Sequence, residues 1–145
     1  MTASLLDVSV LIALMWPTHE AHNRVLRWFG RSARHGWATC PMTQAGFVRL
    51  VSNPAFSRDA VSPAAALAIL DANLRNEHHH FWEDDCGVGN AVQQFRARIV
   101  GHRQVTDAYL LGLAVRKGGH LVTLDGGLRA LASRDLTKDA VHLIR

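Results

Sequence analysis

The feature that most constrains this chain is its alternation of very short apolar runs with stretches of helical periodicity, several of the runs ending at carboxylates. Leu5 and Leu6 lead into Asp7, His78 to Trp82 run into Glu83-Asp84-Asp85, and His120 to Leu124 end at Asp125, while Trp37 to Cys40 stop at Pro41. Each run has the length of a strand rather than a helix. The segments between them repeat apolar residues three and four apart, the period of an amphipathic helix. Ser9 offers a cap for a short helix through Leu14, which Pro17 stops. Thr18 caps a second, with Ala21, Val25, Trp28 and Phe29 on one face and Gly36 as its stop signal. Pro41 opens a third, to about Leu50. Ser62 and Pro63 begin a fourth, with Ala66, Leu67, Leu70 and Leu74 inward. Gly87 to about Val100 reads as a weaker helix. Thr106 caps a strong one from Asp107 to Lys117, which Gly118-Gly119 ends. Ala140 to Ile144 supplies a last short strand. Strands alternating with helices predict an α/β, three-layer domain with a short, mostly parallel central sheet flanked by helices.

At 145 residues the chain suits a single domain spanning 1–145, with no internal repeat, low-complexity tract or long linker. Its two cysteines, Cys40 and Cys86, have neither metal-type spacing nor a disulfide framework, which suits a reducing cytoplasm. The first residues lack a basic start, and Asp7 interrupts their apolar run, so they make a poor signal peptide. The longest apolar run, Val10 to Trp16, is seven residues, far short of a membrane span. A soluble, cytoplasmic protein with no membrane association is expected.

Sixteen basic residues against twelve acidic ones give a net charge of +4, and fourteen of the sixteen are arginine. Arginine forks match phosphate geometry, so the composition points toward a nucleic-acid or phosphate partner. In open parallel sheets, ligands bind beyond the carboxyl ends of the strands. Asp7 and Asp125 follow apolar strands and so face that crevice. Asp107 sits in the first turn of its helix, where the dipole favours a carboxylate. That helix directly precedes the strand leading to Asp125. Three carboxylates converging on one crevice repel each other unless a cation sits between them, and an oxygen-only set suits Mg²⁺ or Mn²⁺.

These residues resemble a known family, the PIN domain, and in particular the VapC-type ribonuclease toxins of bacterial toxin–antitoxin pairs. The opening LLDVSVLIAL (Leu5 to Leu14) is similar to the family's first strand, acid and short helix. WATCPMTQAGFVRLVSNP (Trp37 to Pro54) resembles its second strand and the helix after it. VTDAYLLGLAV (Val105 to Val115) and HLVTLDGGL (His120 to Leu128) resemble its third and fourth motifs, in the right order along nearly the whole chain. The resemblance implies a Mg²⁺-dependent endoribonuclease, with Mn²⁺ as a substitute, in which Asp7, Asp107 and Asp125 hold the metal and carry catalysis. It implies hydrolysis of an RNA phosphodiester by metal-activated water, leaving a 5′-phosphate and a 3′-hydroxyl. It also implies a cognate antitoxin as partner, and a homodimer.

The chain departs from the family at Gln44, where a glutamate is common. Gln44 is then expected to offer a neutral oxygen or a hydrogen bond to a metal-bound water, and Glu83-Asp84-Asp85 is a candidate substitute acid. Thr106, Thr123 and Ser9 stand next to or near the acids and are candidates for orienting them. Arg96, Arg98 and Arg103, with His102, form a basic segment directly before Asp107 and are the candidate RNA contacts. Arg24, Arg27, Arg31 and Arg34 share one helix face, read as a solvated face or a partner surface. His78-His79-His80 lacks a cysteine or acidic partner at zinc spacing and reads as structural. Trp16, Trp28, Trp37 and Trp82 read as core or dimer interface. The Gln44 departure motivates one alternative, a catalytically inactive PIN-like module that binds RNA or protein. An aspartyl-phosphate enzyme is disfavoured, because Ser9 stands where a second acid is usually wanted.

Overall fold

A computed structural model describes residues 3–132 and 138–145. Five short strands, β1 (Ser4–Leu6), β2 (Trp37–Thr39), β3 (His79–Phe81), β4 (His120–Thr123) and β5 (Val141–Leu143), pair entirely in parallel in the order β3-β2-β1-β4-β5. Parallel pairing needs crossovers, and helices supply them. They are α1 (Val8–Met15), α2 (His22–Ser32), α3 (Pro41–Val51), α4 (Pro63–Leu74), α5 (Val88–Ala91) and α6 (Gln104–Arg116). The expected three-layer α/β architecture is present.

Successive residues of a strand face opposite layers, and β1 shows the consequence. Leu5 packs with Tyr109, Leu110 and Leu113 of α6, whereas Leu6 packs with Val10, Phe47 and Ala66 on the opposite side. Both leucines are wholly buried, so the central strand carries no alternation of apolar and polar residues. Gly112 allows α6 to approach α5, since a Cβ there would collide with the Ala91 carbonyl. Gly36, at φ 95°, makes the left-handed stop before β2.

Several local expectations shift. Asp7, rather than Ser9, caps α1: its carboxylate accepts from the Val10 N–H, while Ser9 lies inside the first turn and donates its hydroxyl to that carboxylate. Ala21 occupies the cap position of α2, so Thr18 does not; its hydroxyl donates to Asp59 instead. α6 begins at Gln104, three residues before the expected start, so Thr106 lies inside the helix. The Gln104 Oε1 atom accepts from Val100 N and Gly101 N, closing the turn from which the helix starts. In α4, Ala66 and Leu70 are buried but Leu67 is 49% exposed, because the helix rests on its neighbour along a narrower stripe than the apolar spacing suggests. The weak helix after Gly87 is one turn of α5 followed by a 3₁₀ stretch over Gln93–Arg98. No described helix is long and apolar enough to cross a membrane.

Candidate active site

β1 pairs with β2 on one side and β4 on the other, so the direction of winding reverses at β1–β4. The crevice beyond the carboxyl ends of those two strands is where such folds bind ligands. Asp7 is the residue directly after β1, and Asp125 lies two residues beyond the end of β4. Asp107 enters from the first turn of α6, the helix that feeds β4. The three acids therefore lie around one mouth.

Each is held differently. Asp7 is buried; its Oδ1 accepts from the Ser9 hydroxyl at 2.7 Å and from Val10 N at 2.9 Å. Burial pushes its carboxyl above the usual range, the Thr123 and Ser9 hydroxyls and the Val10 N–H pull it down, and the charge of Asp125 adds to the upward pull. Asp107 is half-buried without such donors, and burial, then the charges of Asp7 and Asp125, push it up to about 6. Asp125 is exposed, and its Oδ1 caps the following 3₁₀ turn by accepting from Gly127 N at 2.9 Å. Thr123, fully buried, stands between the pair: its hydroxyl accepts from Asp125 N at 3.0 Å and lowers the Asp7 carboxyl from beside it.

No group of three or more His, Cys, Asp and Glu side chains that could by itself hold a metal ion occurs among the described residues. The acids nevertheless feel one another, since Asp7 and Asp125 both raise Asp107. Charge repulsion reaches further than direct coordination. The arrangement is thus an acidic mouth wider than a closed metal cage, and its donors are hard oxygens.

The remaining candidates separate clearly. Ser9 and Thr123 bond the acids. Thr106 is exposed and lines a shallow groove with Asp84, Val8 and Met42. Gln44 turns elsewhere: its Nε2 donates to Thr39 Oγ1 at 2.9 Å, and Thr39 in turn bonds His79 Nε2 at 2.7 Å. Asp84 accepts from the Tyr109 hydroxyl at 2.7 Å, and Asp85 pairs with Arg116 and Lys117, so this acidic run braces α6. Arg96 reaches the Gly89 carbonyl and Arg98 those of Gln94 and Leu131, while Arg103 stands exposed just before α6. His78 pairs with Glu77 at 3.3 Å. Trp16, Trp28 and Trp37 are core residues. The Gln44–Thr39–His79 chain carries no sequence signal, because it depends on the β2–β3 register that sets His79 opposite Trp37.

The fold and site define a three-layer α/β domain with an acidic mouth at its strand switch point. The model of the PIN domain matches residues 4–133. Ribonuclease VapC39 of Mycobacterium tuberculosis is 46% identical over 140 residues, covering 95% of this chain and 99% of that protein. Ribonuclease VapC38 of the same species is 46% identical over 131 residues, 90% of this chain and 91% of that protein. The chain belongs to the PIN domain family, among the VapC ribonucleases. Its fold is also similar to that in the crystal structure of VapBC2 from Rickettsia felis bound to a promoter DNA fragment, at a TM-score of 0.66 and 12% identity over 99% of this chain and all of that one.

Proposed function

We propose that this chain is a Mg²⁺-dependent endoribonuclease, the toxic member of a toxin–antitoxin pair, with Asp7, Asp107 and Asp125 as its metal-holding and catalytic residues. The observation that carries the reading is the gathering of these acids at the β1–β4 mouth, where burial and then the charges of Asp7 and Asp125 push Asp107 up to about 6. Such a cluster is stabilised by a hard cation, and an ion that keeps several of its waters suits a mouth this open. Once bound there, Mg²⁺ or Mn²⁺ would acidify a water and neutralise charge on the scissile phosphate. The names of the relatives, ribonucleases at 46% identity, support the substrate class.

The chain's own residues supply positioning. Asp7 is locked by its capping role and the Ser9 hydroxyl, so its carboxylate holds one orientation without a metal. Thr123 holds the backbone of Asp125 through its hydroxyl, beside Asp7. Arg103, with Arg96 and Arg98 beside it, gives phosphates a positive approach that the acidic mouth lacks. An antitoxin would cover the mouth with a basic or aromatic segment, since an acid-lined pocket takes an arginine as readily as a cation. The protein is proposed to act as a homodimer in the cytoplasm.

Gln44 bears on the alternative of an inactive module. Because it donates to Thr39 rather than to an acid, its missing charge leaves the three-acid cluster as it is. The reading is tested in cells: expression of the chain alone arrests bacterial growth, co-expression of its antitoxin restores it, and Asp7→Asn expressed to the same level does not arrest. Normal growth with abundant folded wild-type protein would overturn the toxin assignment.

A further inference from the structure

A nuclease mouth lined by carboxylates repels the phosphates it must bind, so affinity for a long substrate has to come from elsewhere on the surface. α2 and the turn after it provide a surface of the needed sign. Arg24, Arg27, Arg31 and Arg34 lie three, four and three residues apart and share one face, while Val25 and Trp28 are buried on the other. α2 contains no acidic residue, and none of the ion pairs among the described residues involves these four arginines. Arg27, Arg31 and Arg34 are exposed. Arg24 is half-buried, and its Nε has no hydrogen-bond partner among the described residues. From Arg24 to Arg34 the helical rise amounts to roughly 15 Å of unneutralised positive charge.

The location is informative. α1 carries the chain away from Asp7, and α2 follows it, with Phe29 against Trp37 at the start of β2 and Trp28 stacked on His142 of β5. α2 is thus anchored at the amino end of β2 and on the middle of β5, and none of these contacts involves an acid of the mouth. We propose that this face is a second binding surface for RNA, which holds the phosphate backbone of a long substrate at a distance from the scissile bond. Arginine rather than lysine fits that task, because its fork takes two phosphate oxygens and its plane stacks on bases. The inference rests on the ribonuclease reading for its choice of polyanion, but its test does not need cleavage.

The test measures binding in the Asp107→Asn background, with a long single-stranded RNA, a tetranucleotide and polyglutamate as probes. The tetranucleotide has only three phosphodiesters and serves as the short probe. The charge-removing pair Arg27→Gln/Arg31→Gln is compared with Arg27→Lys/Arg31→Lys, both at exposed positions, with melting temperatures confirming the fold. The glutamine pair weakens long-RNA binding about tenfold and lowers the log–log salt slope by about 1.4, which is about 0.7 for each phosphate left unneutralised. The lysine pair recovers most of the slope, and tetranucleotide binding is unchanged by either pair. Equal affinity and slope for wild type and the glutamine pair would overturn the proposal. So would binding of polyglutamate, but not RNA, through these arginines, which would make the face a dock for an acidic protein segment. If the otherwise wild-type enzyme cuts no RNA while the arginines still govern RNA binding, the ribonuclease reading fails and this surface stands.

Discussion

Asp107→Asn separates the electrostatic account of the mouth from a merely structural one. In the folded protein, burial and the charges of Asp7 and Asp125 raise the Asp107 carboxyl from 3.8 to about 6. A carboxyl whose folded value exceeds its unfolded value binds its proton more tightly in the native state. The native protein is therefore unpenalised below about pH 4 and loses stability as pH rises toward 6, with the full penalty present above that. The shift corresponds to about 3 kcal/mol, which solvent access to a half-buried group reduces to about 1–2 kcal/mol. Asparagine keeps the shape and removes the charge. In EDTA near pH 7 the variant should be more stable by that amount, raising Tm by about 3–6 °C, and the gain should shrink to nothing near pH 4. Mg²⁺ should raise the wild-type Tm near pH 7 and that of the variant much less. Thermal melts across this pH range, with and without Mg²⁺, provide the assay. A variant less stable than wild type near pH 7 in EDTA, or a gain independent of pH, would refute the reasoning.

Three further outcomes follow from the same geometry. Thr123→Val leaves Asp125 N without its acceptor and removes the hydroxyl that lowers the Asp7 carboxyl, while Asp7 keeps Ser9 and Val10 N as donors; it should cost about 1–2 kcal/mol in urea unfolding and lower kcat about tenfold with little change in KM. Gln44→Glu should leave Mg²⁺ affinity within error in a Tm titration, because position 44 bonds Thr39; a gain near tenfold would instead place it at the metal. Tyr109→Phe should remove the Asp84 bond, cost about 1 kcal/mol of stability and leave the Mg²⁺ requirement unaltered in a cleavage assay.

The parts legible in the sequence are those set by local chemistry. A pair of buried leucines followed by Asp7 reads as a strand reaching its carboxyl end, and LVTLD near the other end of the chain reads in the same way. Alternation of strand and helix then requires parallel pairing, which places both acids at one edge of the sheet. What escapes depends on competition or register. Ser9 and Asp7 both suit a helix start, and only the folded turn shows that the carboxylate takes the Val10 N–H while Ser9 donates to it. The start of α6 shifts because the Gln104 side chain, three positions before Asp107, closes the preceding turn on Val100 and Gly101. Leu67 fits the apolar spacing of α4, yet it lines an open groove between α3 and α4 and stays exposed. Analogy with a glutamate draws Gln44 toward the metal, whereas Thr39 and His79, brought together by the β2–β3 pairing, give it another partner.

The central claim is that three aspartates at the β1–β4 mouth carry metal-dependent RNA hydrolysis. Its most direct test incubates the purified chain with a mixed-sequence RNA in Mg²⁺ and in EDTA, beside Asp7→Asn and Asp107→Asn at matched concentration and confirmed fold. The account predicts cleavage to 5′-phosphate ends by the wild type in Mg²⁺ alone, and none by either variant. Wild-type cleavage in EDTA, or full activity in either variant, would contradict it.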